Sequence, residues 1–455
     1  MVLQHDNNMK KRLFYIGTFI MTIVIFFTFS QPQYISAAES VVDTTVFATN
    51  TQSDNSSPTA VWVSNLVGYT FYLGVEGDLE MASTTDGGQT WQITNAVDTV
   101  NTTDVVSYAI WWDGWTQPGT TTEFIHVATT DTGTDDIYYT RVNANTGTTS
   151  TTVVTTTQGA TCSRGTSCYV SITKASDNTL YVVTADGSDS WVDSCATNCT
   201  STANWSERTN AFYEGTFLED HIPILTPVNG TNNVMFIYWN PEAASTDNVL
   251  YNIYSATSSA WQWATNATQT IATNKDMTSS FSANFIGVSH STTTGTTSLA
   301  LIDDANDYTT ADHDINFYTY SSTTGWVAQT DPITTASGGL TGVKVSFDEV
   351  SKTWYAIYTR RTTIGTATTG NIYYKTSTDN GTTWSAESSA VNDTADDING
   401  LTTGISTASR IGVWWNYTTA PKADQEYYNL IVNLADSGGG GDVVVIVEDF
   451  WDDDI

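Results

Sequence analysis

"STDNGTTW" (377–384) follows the strand-forming run "NIYYKT" (371–376), and a looser copy, "TTDGGQTW" (84–91), follows "LEMAS" (79–83). Both octapeptides space their residues alike. Ser377 or Thr84 comes first, then Asp379 or Asp86, Gly381 or Gly88, Thr383 or Thr90, and Trp384 or Trp91. A short carboxylate at the head of a turn accepts hydrogen bonds from the turn's own N–H groups. Glycine takes the positive φ that such a turn requires. Threonine restarts a strand, and the tryptophan lays a large apolar ring back over the hairpin. Each octapeptide is therefore expected to be the tip of an antiparallel hairpin.

The rest of the chain repeats that theme. After residue 40 there is almost no helical periodicity; short runs of Val, Ile, Tyr, Trp and Thr alternate with clusters of Gly, Asn, Asp and Ser, the pattern of an all-β chain. One aromatic strand recurs as "LEMAS" (79–83), "IYYTRV" (137–142), "LYVVTA" (180–185), "LYNIYSAT" (250–257), "INFYTYSS" (315–322), "IYYKTS" (372–377) and "EYYNLIV" (426–432). A bulky strand often precedes it, as in "YAIWWDG" (108–114) and "TWYAIYT" (353–359). Units of three or four strands at this spacing predict a β-propeller of small antiparallel sheets. Seven units can be drawn, at 58–98, 103–157, 160–210, 212–274, 276–336, 339–393 and 396–436, with six as the alternative count because the third is short and irregular. Two sandwich domains are the rival architecture, but no linker stands near mid-chain. Residues 39–57 read as a lead-in, and 437–455 as a glycine linker with an acidic tail whose "VVVIV" (443–447) offers a candidate closing strand.

With the repeat in place, the two octapeptides resemble the Asp-box, or BNR repeat, of sialidase-like β-propellers. The resemblance implies a hairpin between the outer two strands of a blade, away from any active site. It makes Thr84, Asp86, Gly88, Thr90, Trp91, Ser377, Asp379, Gly381, Thr383 and Trp384 structural. "STTGW" (322–326), "NTGTT" (145–149) and "CTSTANW" (199–205) look like decayed copies. Sialidases of this family clamp a substrate carboxylate with three arginines beside a Tyr–Glu nucleophile pair and an Asp acid/base. A planar guanidinium suits that task because it binds carboxylate bidentately. This chain departs from the pattern. Beyond Arg12 its arginines are Arg141, Arg164, Arg208, Arg360, Arg361 and Arg410, and none precedes the first octapeptide in an Arg-Ile-Pro-like motif.

Charge and termini restrict the setting. The formal net charge is −33, with 48 acidic residues against 15 lysines and arginines, which repels nucleic acid and anionic membranes. Lys10, Lys11 and Arg12 precede the apolar run 13–29, and Ser36-Ala37-Ala38 supplies small residues before a cut. Residues 1–38 therefore read as a signal peptide, with an uncleaved anchor as the alternative and the chain's one route to a membrane. Secretion or cell-surface display follows. Cys162, Cys168, Cys195 and Cys199 agree with an oxidising compartment, and two local staples, 162–168 and 195–199, are expected although sequence cannot exclude the other pairings.

Chemistry is less legible. Glu219, Asp220 and His221 in "LEDHIP" (218–223) stand together before a strand, and with Arg360, Arg361 and Arg410 they are the weak catalytic candidates; a solvated loop is the default for the trio. Asp303, Asp304, Asp307, Asp312 and Asp314 in "DDANDYTTADHD" (303–314) offer oxygen ligands for Ca²⁺ without EF-hand spacing. Trp112, Trp115, Trp239 and Trp415 fall at strand ends, where an outward ring could stack on a sugar; packing between blades is the competing role. No cofactor is required. The expected partner is an extracellular glycan or a surface protein. The functional expectation is a recognition module, with a sialidase-like glycoside hydrolase and a structural envelope protein as alternatives.

Overall fold

A computed structural model describes residues 40–43, 58–74, 77–94, 97, 105–116, 123–132, 136–157, 169–185, 190–207, 223–240, 247–263, 269–275, 286–303, 314–334, 339–361, 370–392, 398–403, 411–417 and 425–429. They form a β-propeller. Seven antiparallel sheets appear among the described residues, and in chain order they lie within 60–94, 105–157, 169–207, 223–275, 286–328, 340–392 and 398–429. Six have four strands; the fourth has five, its extra strand Gln269–Lys275 pairing with Asp247–Ser255. We call the sheets blades one to seven and their strands A to D in order of pairing, A being innermost. The A strands of consecutive blades pack on one another, from Val105–Trp112 through Tyr169–Lys174, Pro223–Pro227, Ile286–His290 and Leu340–Asp348 to Ile398–Thr403.

The core lies between blades. One buried cluster joins blades one to three through Phe71, Met81, Ile110, Val127 and Val182; a second joins blades four to six through Ile237, Leu299, Phe317 and Trp354. A strand whose two faces both meet a neighbouring blade has no solvent side. That is why runs such as Gly68–Leu73 and Ile286–His290 are buried at every position instead of alternating. The approach is tight at Gly287, where an added Cβ would lie 2.8 Å from Lys344 Cα in the next blade.

Part of the expected lead-in is a strand. Ser40–Asp43 pairs antiparallel with Gln425–Asn429 and supplies strand D of blade seven. The ring is thus closed by the N-terminal side of the chain; "VVVIV" and the rest of 430–455 lie outside the described residues, as do 1–39. Among the described residues no helix is long and apolar enough to cross a membrane.

Both octapeptides form the turn between strands C and D, in blades one and six. Their bonding matches atom for atom at the motif positions. Asp379 Oδ1 accepts from Ser377 Oγ at 2.8 Å and from Thr383 N at 2.8 Å, and its Oδ2 accepts from Thr383 Oγ1 at 2.6 Å. Asp86 accepts from Thr84 Oγ1 at 2.8 Å, Thr90 N at 3.0 Å and Thr90 Oγ1 at 2.6 Å. These bonds, led by that from Thr383, hold Asp379 below its ordinary pKa. Burial pushes Asp86 upward, but its four hydrogen bonds together outweigh it and the net shift is down. A lowered carboxyl stabilises the fold above its unfolded pKa and loses that contribution as pH falls through the folded one. Each Trp reaches a neighbour: Trp384 Nε1 donates to Thr330 O of blade five at 2.8 Å, and Trp91 Nε1 donates to Ser40 Oγ at 3.2 Å.

Gly381 is needed twice over. Its φ is +86°, and a Cβ there would lie 2.6 Å from the Phe317 ring of blade five. Gly381→Ala is expected to cost about 1–3 kcal/mol, measured as a shift in the urea midpoint with unchanged slope.

Candidate functional site

The ring has two unlike ends. At one, where strand A turns into strand B, side chains stitch one blade to another. The turn after Val105–Trp112 is a short 3-10 segment, Asp113–Trp115, and Asp113 is its anchor. Asp113 Oδ1 accepts from Lys174 Nζ of blade three at 2.5 Å and from His126 Nε2 at 2.8 Å, while Oδ2 accepts from Phe124 N at 3.2 Å. His126 Nδ1 is 2.6 Å from the Tyr139 hydroxyl. Burial pulls His126 below its ordinary pKa, against the upward pull of Asp113, so it is neutral. Its Nε2–H then donates to Asp113 and its Nδ1 accepts from Tyr139. Burial pushes Asp113 up, but His126 and Lys174 outweigh it and hold the carboxyl far below the usual range.

The same turn reaches blade five: Trp115 O is 2.6 Å from His290 Nε2, and the His290 ring stacks on Trp111 at 5.2 Å. Further round, Asn229 Nδ2 donates to Ser291 O at 2.9 Å. Glu349 of blade six accepts from Thr292 N, from Thr292 Oγ1 at 2.9 Å, from Thr293 Oγ1 and from Ser291 Oγ at 3.3 Å. Asp113, His126, Trp115 and His290 are buried, so this network is structural.

Sequence reasoning missed this network. Its one signal was Lys174, a cation at the end of the otherwise uncharged strand "YVSITK" in a chain poor in cations. Here the structure also corrects an expectation. Trp112 and Trp115, offered as outward sugar-stacking rings, are 2% and 0% exposed. They pack edge-on with ring centroids 6.3 Å apart and fill the turn beneath blade two. Gly114 between them leaves no room for a Cβ, which would fall 2.5 Å from the Trp112 ring.

The opposite end, where strand B turns into C and D leads on to the next A, is differently furnished. On blade six the C-strand side chains Tyr373 and Lys375 share a face, and Lys375 Nζ donates to Pro332 O after blade five at 2.8 Å, so this face lines the cleft between the two blades. In that cleft Arg360 donates from both terminal nitrogens to Glu387, at 3.1 Å and 2.8 Å. Tyr358 OH donates to Glu387 Oε2 at 2.6 Å. The Arg360 guanidinium lies 4.4 Å from the centre of the Tyr373 ring, whose hydroxyl accepts from Asn371 Nδ2 at 3.1 Å. Arg360 and Asn371 stand opposite each other in the ladder, which places these polar groups together. The Arg360 and Glu387 side chains are 19% and 27% exposed, open enough to be reached. Asn371 is 3% exposed, and its Oδ1 has no hydrogen-bond partner among the described residues. Burial opposes the charge of Arg360, but Tyr373 and Glu387 raise its pKa overall.

Asp303 is ion-paired to Lys275 at 2.7 Å and stands opposite Asp314 in the ladder; Asp304, Asp307 and Asp312 lie outside the described residues. Among the described residues no group of three His, Cys, Asp or Glu side chains is placed to hold a metal ion. Glu219, Asp220, His221 and Arg410 also lie outside them, and Arg361, Trp239 and Trp415 are described in backbone only. Cys195 and Cys199 are disulfide-bonded, with Cα atoms 5.7 Å apart; Cys162 and Cys168 lie outside the described residues.

No family model matches the sequence, and no curated protein sequence matches it. Solved structures of similar fold include the NanB sialidase from Streptococcus pneumoniae, at 11% identity and a TM-score of 0.42, covering 89% of this chain and 71% of that one. The fucose-specific lectin from Aleuria aurantia is similar at 9% identity and a TM-score of 0.40, covering 73% and 93%. AofleA from Arthrobotrys oligospora is similar at 8% identity and a TM-score of 0.42, covering 87% and 88%.

Proposed function

We propose that this chain is an exported or cell-surface Asp-box propeller that recognises a glycan on the B-to-C end of its ring, without sialidase-type catalysis. The observation that carries this reading is the state of Arg360. A guanidinium that clamps a substrate carboxylate must present its fork to the ligand. Both terminal nitrogens of Arg360 already hold Glu387, in a chain whose formal charge is −33. What the cleft still offers is a mixed set for uncharged hydroxyls. It has the remaining N–H groups of Arg360, the remaining lone pairs of Glu387 and the Tyr373 hydroxyl. A sugar ring carries donors and acceptors on one rigid frame and meets such a set at several points. The Tyr358–Glu387 pair is the one feature that favours a hydrolase. It stands with a single arginine whose side chain is described, where a carboxylate clamp needs several. The Cys195–Cys199 bond supports export.

A glycan array, with and without Ca²⁺ and including sialylated glycans, tests the proposal. Selective binding to neutral glycans is the expected result, and Arg360→Ala is expected to weaken it about tenfold or more while leaving the fold intact. A Ca²⁺ requirement would bring the 303–314 segment into the site. Release of sialic acid would favour the hydrolase. Binding to no glycan would leave a surface-protein ligand or a structural envelope role.

A further inference from the structure

The ring is closed by four residues, Ser40–Asp43, and both ends of this strand are held by side chains of blade one, across the seam from the blade in which it pairs. Ser40 Oγ donates to Gly88 O at 2.6 Å and accepts from Trp91 Nε1 at 3.2 Å, so one end docks on the first hairpin tip. At the other end Asp43 is 3% exposed, and its Oδ2 accepts from Tyr72 OH at 2.9 Å. Tyr72 stands opposite Glu80 in the ladder, hence on the same face, and the Glu80 carboxyl is hydrogen-bonded to Asp43. That carboxyl lies against Gly74, where a Cβ would fall 2.3 Å from its carbon. Two carboxyl groups therefore meet across the seam.

The titratable groups acting on this pair are acids and phenols: Asp78 from the turn before Leu79–Thr84, Tyr72 from strand B of blade one, and Tyr108 from blade two through Tyr72. Among the described residues no cation is one of the groups acting on Glu80 or Tyr72. Two carboxyls within hydrogen-bond reach of each other cannot both be ionised without severe repulsion, and a proton on Glu80 turns the contact into a bond to Asp43.

We propose that the seam is a proton-held latch, in which a proton carried by Glu80 and donated to Asp43 fastens the closing strand in acid, and its loss toward neutral and alkaline pH frees that end of the strand while Ser40 stays tethered. Burial first, then the charge and hydrogen bond of Asp43 and the charge of Asp78, raise Glu80 to about 7. A raised carboxyl stabilises the closed form fully below its unfolded pKa, and that contribution is lost as pH rises through the folded value. The latch opens in the alkaline direction, opposite to the acid sensitivity of the hairpin carboxylates.

Hydrogen exchange on the full chain tests this without any substitution. Between about pH 5 and about pH 8, after correction for intrinsic rates, protection of amides in 40–43 and 425–429 is expected to fall about tenfold or more, while 353–361 in blade six stays constant. In Glu80→Gln the amide donates to Asp43 at any pH, so protection at the seam is expected to be flat; Asp43→Asn is the second variant should the first not fold. Seam protection that is constant in the wild type would overturn the latch. So would an equal loss in every blade, which assigns the effect to overall charge, or a slope unchanged in Glu80→Gln.

Discussion

Asp113→Ala is expected to lower the unfolding free energy by about 3–5 kcal/mol. The carboxylate accepts from Lys174 Nζ at 2.5 Å, His126 Nε2 at 2.8 Å and Phe124 N at 3.2 Å, and it is 3% exposed. Its removal leaves an ammonium and an imidazole N–H buried without that acceptor, in a place water cannot readily fill. The loss goes beyond one turn, because the Asp113–Trp115 segment touches blade five through His290. Urea melts compared with Asp113→Asn provide the check. The amide keeps one acceptor oxygen but not the charge that faces Lys174, so an intermediate loss is expected. If Asp113→Ala melted with the wild type, the network would not be anchoring blade two to blade three.

Trp115→Ala is expected to cost a similar amount, about 3–5 kcal/mol, by a different route. The ring is 0% exposed and meets Trp111 edge-on at 5.6 Å and Trp112 at 6.3 Å. Truncation leaves a cavity walled by two other large rings that cannot collapse into it without moving the 3-10 turn. The variant separates two roles for the same residue. A packing role predicts a lowered urea midpoint and, at low temperature where the chain stays folded, unchanged glycan affinity. A sugar-stacking role predicts unchanged stability and lost binding, and that outcome would contradict the burial found here.

The two predictions lie at one end of the ring and the proposed ligand cleft at the other. The A-to-B turn at Asp113–Trp115 is held in contacts between blades, so substitutions in that network are expected to act on stability. Groups in the cleft are open by about a fifth to a quarter, as Arg360 and Glu387 show, so substitutions there are expected to act on recognition.

Much of the architecture could be read from local pattern. A hairpin tip such as Ser377–Trp384 is bonded almost wholly within itself, with the hydroxyl, the carboxylate and the N–H groups all inside five residues of one another. The blade repeat was legible for a related reason. Each sheet is built from strands adjacent in the chain, so the aromatic strand and its turn recur in step with the structure. The unit boundaries drawn from sequence enclose the sheets of blades one to three, five and six and the strands of the seventh that follow residue 397, while the sheet of blade four runs one residue past its unit, to Lys275.

What sequence alone could not determine is everything that depends on residues far apart in the chain. Trp112 and Trp115 were open to both an outward and an inward reading until the turn that carries them was seen to face His290, 175 residues from Trp115. Arg360 stood among the weak catalytic candidates until Glu387 was placed on its fork, and Ser40–Asp43 read as part of a lead-in until it met Gln425–Asn429. The physical reason is the same each time. Hairpin geometry is a short-range property of backbone and nearest side chains, whereas the partner of a charge and the burial of a ring are set by whichever blade the closed ring brings alongside.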